Sequence, residues 1–150
     1  MNPADGILGR LLRYAWASPC SLLGLAFAIA AGLFGARWVA VAGTLEVAML
    51  PRRTPGSPWW LPFRAITLGH VILGTHPAEL ARLRVHEQAH VRQYETWGPL
   101  FLLAYPADSL WQWLRGRRPY ADNRFEVAAR QAEAAVRVAA DGYEGSDHRC

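Results

Sequence analysis

The apolar positions along the chain change period several times, and each change predicts a different element. Residues 18–36, SPCSLLGLAFAIAAGLFGA, carry no charge. As a helix they would extend about 28 Å, close to the roughly 30 Å hydrocarbon core of a bilayer. A buried or interfacial helical hairpin is the alternative for so marginal a span. From Trp38 to Met49, β-branched residues in rough alternation predict one or two short strands, ended by a loop rich in Pro, Gly, Ser and Arg at 50–58. Over 65–74, Ile66, Leu68, His70 and Ile72 alternate with Thr67, Gly69, Val71 and Leu73, which predicts a strand in which Gly69 marks the close approach of another backbone.

The period then lengthens. Leu80, Leu83, Glu87, His90, Tyr94 and Trp97 recur at spacings of three and four and share one stripe of a helix over 77–97, with Pro77 in its first turn and Gly98-Pro99 as its stop. A second apolar helix follows over 99–114, interrupted or kinked at Pro106, and a third runs from about 123 to 140. Residues 143–150 are polar and read as a loose tail. A chain of 150 residues supports one core. The expectation is a single α+β domain over 1–150, mostly helical. A short antiparallel sheet packs on the 77–97 helix in a core from about 38 to 142, behind a hydrophobic N-terminal segment at 18–36.

Composition adds a location. Hydrophobic residues make up 52% of the chain, with seven tryptophans, which is too apolar for a disordered chain and rich for a purely soluble one, so a membrane is an expected partner. The net charge of +4 comes entirely from arginine, lysine being absent, a bias of the kind seen in GC-rich bacterial genomes. The expected location is therefore the bacterial inner membrane. Arginines on both sides of 18–36 leave its orientation open. No helix-turn-helix, zinc-finger or RNA-binding motif accompanies the basic charge, so nucleic acid is not an expected partner. Cys20 and Cys150 lack paired spacing and predict no disulfide framework.

Chemistry concentrates at His86-Glu87-Gln88-Ala89-His90. Glu87 and His90 interrupt an otherwise apolar stripe, and a carboxylate in a core-facing position is costly unless paired, hydrogen-bonded or near a metal. His86 and His90, one turn apart, bring two imidazoles to the same side of the helix. Zn²⁺ takes neutral imidazole nitrogens at about 2.0–2.1 Å and leaves one position open. Glu87, between them, would then serve as general base, taking a proton from water that the ion has acidified and passing it to a leaving amine. With five histidines and seven glutamates in the chain, chance supplies roughly 0.01 such strings, before its helical setting is required. A third ligand is needed, and His70, Asp108, Asp122, Glu126 and Glu133 are the candidates. Glu126 is the best placed, in the first turn of the third helix, although Asn123 and Glu126 also have capping-box spacing and Glu126–Arg130 that of an i,i+4 pair. His70 fits an ordinary strand histidine as well as a group contacting substrate or metal.

The HEQAH string followed by NRFEVAA resembles the gluzincin metallopeptidases, in which HExxH lies on one helix and a glutamate on a later one. The likeness, over roughly 65–133, is greatest to small bacterial membrane-associated proteins of that type. It implies His86, His90 and Glu126 as zinc ligands and Glu87 as general base and acid. It also implies that the 65–74 strand binds an extended peptide by main-chain pairing, with Gly69 and His70 beside the cleft. Asn123 would orient a ligand or the active-site helix, its other role being the helix cap. Tyr120 or Tyr94 would supply an oxyanion donor.

The expected function is zinc-dependent hydrolysis of a peptide or protein substrate. The alternative is a zinc-binding or metal-free membrane protein without hydrolytic activity, acting as a scaffold or regulator.

Overall fold

The computed structural model of the chain describes residues 6–49 and 64–144. In chain order it has α1 (Ile7–Leu33), β1 (Arg37–Val41), β2 (Thr44–Ala48), β3 (Ala65–Leu68), β4 (Val71–Gly74), α2 (Pro77–Trp97), a 3-10 turn (Gly98–Leu100), α3 (Phe101–Leu114) and α4 (Arg124–Glu144). The α+β class and the hydrophobic N-terminal helix are as expected. The loop at 50–58 and most of the 143–150 tail lie outside the described residues.

α1 begins well before the uncharged stretch, because Ile7, Leu8, Leu11 and Leu12 with Arg10 and Arg13 are good helix formers. Pro19 sits inside it. Because proline has no N–H, the Ala15 carbonyl lacks its helical donor, and it accepts the Ser18 hydroxyl instead at 2.7 Å. Ala17, Cys20, Gly24 and Ala28 form the buried stripe, while most of the large apolar residues of α1 face outward. The helix is long and apolar enough to cross a membrane.

The sheet has the order β1-β2-β4-β3 and is mixed rather than antiparallel. β1 and β2 form a hairpin, β3 and β4 another, and the two are joined by a parallel pairing of Leu45–Ala48 with Val71–Gly74. The single strand expected over 65–74 is the second hairpin. Gly69 turns the chain with φ +59°, a conformation costly for any residue with a Cβ and suited to a two-residue turn.

Alternation along the strands serves two helices. Val47, Val71, Leu73 and Leu68 pack with Ala28 of α1, whereas Ala48 and Ile72 pack with Leu80 and Val91 of α2. β2 and β4 are thus buried between α1 and α2, β1 is a largely exposed edge, and α4 lies against α2. On the α2 side, Arg84 donates two hydrogen bonds to Glu46 of β2, at 2.7 and 3.0 Å. That fork clamps the helix to the sheet and accounts for a charge two residues before His86. α2 itself spans the predicted residues. It stops at Gly98, whose φ is +54° and where a Cβ would collide with the Trp16 ring at 2.5 Å.

Candidate metal centre

Packing α2 between the sheet and α4 buries His86, Glu87 and His90, with Glu87 against β3 and the two histidines toward α4. The first turn of α4 adds Glu126, 2% exposed. His86 Nε2 and His90 Nε2 stand 3.2 Å apart, and each lies 3.3 Å from a Glu126 carboxylate oxygen. Donors 2.0–2.1 Å from a tetrahedral ion are separated by about 3.3 Å, so the three side chains already hold ligand-like spacing. Together they are a set of residues able to hold a metal ion.

Hydrogen bonding argues the same way. Gln93 donates its amide to the Phe125 carbonyl at 3.0 Å, which turns its Oε1 toward His90 Nδ1 at 2.8 Å. A proton on Nδ1 then leaves the Nε2 lone pair of a neutral His90 facing His86 and the carboxylate. Glu126 Oε2 is buried without a hydrogen bond, and an orphaned carboxylate oxygen beside two imidazoles is the environment a cation satisfies. Without one, a proton substitutes. Burial alone would lower the His90 pKa, but Glu126 and Gln93 outweigh it and raise it. Burial would raise that of Glu126, but His86, His90 and Tyr105 hold it well below the usual carboxylate range.

Three supporting side chains, Thr67, Tyr105 and Gln93, escaped sequence reasoning. Thr67 of β3 donates to Glu87 Oε2 at 2.7 Å, fixing the carboxylate beside the histidine pair. Tyr105 of α3 donates to Glu126 Oε1 at 2.7 Å. A polar residue on the inner face of an apolar helix is the only signal that could have found Tyr105, and Gln93 carried none.

Asn123, fully buried, is the helix cap and hydrogen-bonds neither a ligand side chain nor α2. Its Oδ1 accepts the Phe125 N–H at 2.9 Å as a cap, and its Nδ2 donates to the Tyr105 carbonyl and Ser109 Oγ of α3. The capping spacing of Asn123 and Glu126 is therefore divided: Asn123 caps, and Glu126 is released toward the histidines. Glu133 Oε2 lies 3.9 Å from His86 Nδ1, behind the ligand pair. Asp108 binds the Arg124 N–H, and Asp122 pairs with Arg118, both away from the centre.

Gly69 and His70 are not brought to the centre. They form the β3–β4 turn against α1, where His70 bridges Ser21 (3.1 Å) and Glu95 (3.2 Å) and stacks on Tyr14. The cleft beside the centre, about 320 Å³, is walled by β3 and by Phe101, Leu102, Tyr105 and Pro106, with Tyr94 and Tyr120 also lining it. β3 is an edge strand, paired on one side only among the described residues. Tyr120 is 60% exposed. Partial burial and the neighbouring Glu126 carboxylate push its phenol up to about 12. Apart from the His86, Glu87, His90 and Glu126 side chains, no charged residue among the described residues lines the cleft.

No protein-family model, curated protein or solved structure matches the chain, so the functional reading rests on these residues and their geometry.

Proposed function

We propose that the chain is a zinc-dependent peptidase of gluzincin type, associated with a membrane. The observation that carries this is the convergence of His86, His90 and Glu126 at ligand spacing, with a buried carboxylate oxygen left orphaned and Glu87 beside it. Three imidazole and carboxylate donors suit Zn²⁺ and leave room for a fourth partner. A bound zinc ion would supply Lewis acidity, acidifying water and polarising a carbonyl.

The remaining steps belong to the chain. An extended peptide lies along the free edge of β3 and pairs with its main chain, which presents one carbonyl to the centre. Glu87, held by Thr67, takes the proton from the attacking water and delivers it to the departing amine nitrogen. The exposed Tyr120 phenol, at the cleft mouth and protonated at neutral pH, is available to donate to the developing oxyanion.

The broad apolar surface of α1 and α3 favours the second reading, a metal-binding membrane scaffold. Metal content of wild type, His86→Ala and Glu126→Ala, with peptide hydrolysis by wild type and Glu87→Gln, separates them. Zinc lost from both ligand variants, and hydrolysis lost from Glu87→Gln with its zinc retained, supports the peptidase. Zinc without any hydrolysis supports the scaffold, and a wild type that binds no zinc removes both.

A further inference from the structure

α3 divides its residues cleanly. Phe101, Tyr105 and Gln112 face the protein. Leu103, Leu110, Trp111 and Leu114 face away from it, at 51–71% exposure. Leu103, Leu110 and Leu114 repeat at seven and four, so they form a continuous outer stripe. The helix then ends in Arg115, Arg117 and Arg118, with the Arg115 guanidinium 4.3 Å over the Trp111 ring. In this turn Asp122 is paired with Arg118.

An apolar stripe, tryptophans at its end and a basic cluster beyond them match the layering of a bilayer surface, from acyl chain through interface to anionic headgroup. Each arginine close to an anionic surface adds to the attraction. A second observation agrees: α1, which meets the start of α3 through Ala17 and Cys20 packed on Phe101, is itself able to cross the bilayer. Leu102 and Pro106 of α3 form the lip of the cleft, so seating this helix sets the mouth of the cleft at the membrane.

We propose that the outer face of α3 lies in the headgroup region of an anionic bilayer and that the cleft receives polypeptide segments emerging from that bilayer. The second part rests on the peptidase reading; the first does not. A segment already held at the surface needs no charged group to capture it, in keeping with a cleft whose charged side chains, among the described residues, are all at the metal centre.

The test uses the full chain with Cys150→Ser, loaded with zinc and reconstituted in vesicles of phosphatidylcholine with or without phosphatidylglycerol. A fluorescent label at Leu103→Cys or Leu110→Cys reports depth through quenching by nitroxide lipids, Cys20 being buried. Quenching should be strong in anionic vesicles and fall when Arg115, Arg117 and Arg118 are changed together to Gln. One peptide sequence, supplied free or on a membrane anchor, should be cleaved at least about tenfold faster when anchored, and the triple variant should lose that preference but not cleavage of the free peptide. Labels that remain in water overturn the seating, as do labels shielded only as protein concentration rises, which would mark a second copy as the occupant. Seated labels with equal cleavage of both peptides overturn the route of entry. Seated labels with no cleavage of either peptide refute the peptidase reading, and the route with it, and leave the seating standing.

Discussion

The Thr67 hydroxyl hydrogen-bonds Glu87 Oε2 at 2.7 Å from the strand that walls the cleft. A hydrogen bond to a charged group contributes about 1.5–3 kcal/mol. Thr67→Val should therefore lower kcat/KM for peptide hydrolysis by about 10- to 100-fold while zinc content stays at the wild-type level, and Thr67→Ser should restore most of it. Equal activity in Val and wild type would separate Thr67 from the chemistry.

Gln93 is expected to act on affinity rather than on turnover. Its contact with His90 Nδ1 orients the ring that Glu126 faces, and removing such outer partners weakens metal binding by about 10–100-fold. Competition with a chromogenic chelator should show that loss for Gln93→Leu, and a larger one for His90→Ala or Glu126→Ala.

The two coupled ligands titrate in opposite directions, which gives the metal-free protein a stability maximum. Glu126, shifted down from 4.5, stabilises above that value and loses the contribution as pH falls through its folded pKa. His90, shifted up from 6.5, stabilises below that value and loses the contribution as pH rises through its folded pKa. Chelator-treated protein should resist heat best between 4.5 and 6.5. A divalent cation competes with the His90 proton, so the added stability from zinc should grow above that range. Thermal unfolding across pH, with EDTA and with excess zinc, tests both slopes. Parallel curves would mean that the ion does not bind at His90.

The β3–β4 turn should tolerate little. A Cβ at Gly69 would strike Ser21 of α1, and φ there is +59°. Gly69→Ala should cost about 2–4 kcal/mol in denaturant unfolding, through overpacking and backbone strain together. Ser21→Ala, which removes the acceptor of the His70 N–H and the contacts to the His70 ring and the Ala17 carbonyl, should cost about 1–3 kcal/mol.

What the residues disclose in advance follows physical locality. α2 could be read to its ends because Pro77 and Gly98 act within one turn of where they stand, and the His86–His90 pair because a helix fixes i,i+4 neighbours. The hairpin at 65–74 was hidden because its two-residue turn switches the alternation, Leu68 sharing a face with Val71 and Leu73 while Ile72 takes the other, and apolar residues on both faces leave no trace of the switch. The parallel pairing of β2 with β4 joins segments separated by the 50–58 loop, and no local pattern encodes it. Glu126 looked equally like a cap and a ligand because the first turn of a helix serves both, and only the packing of α4 on α2 turns its carboxylate to the histidines. Thr67 and Tyr105 read as an ordinary strand threonine and an ordinary helix aromatic until a carboxylate is placed beside each.

One consequence of the ligand set concerns the chain as a polymer. His90 and Glu126 are far apart in sequence, so an ion held by both works as a removable cross-link closing a long loop through α3. By the entropy of closing such a loop, tying its ends is worth about 4 kcal/mol against the unfolded chain. The anchoring of α4 and the affinity for the ion then draw on one shared free energy. Stripping the ion should expose α4 to proteases before β2 and β4, sandwiched between α1 and α2, begin to open.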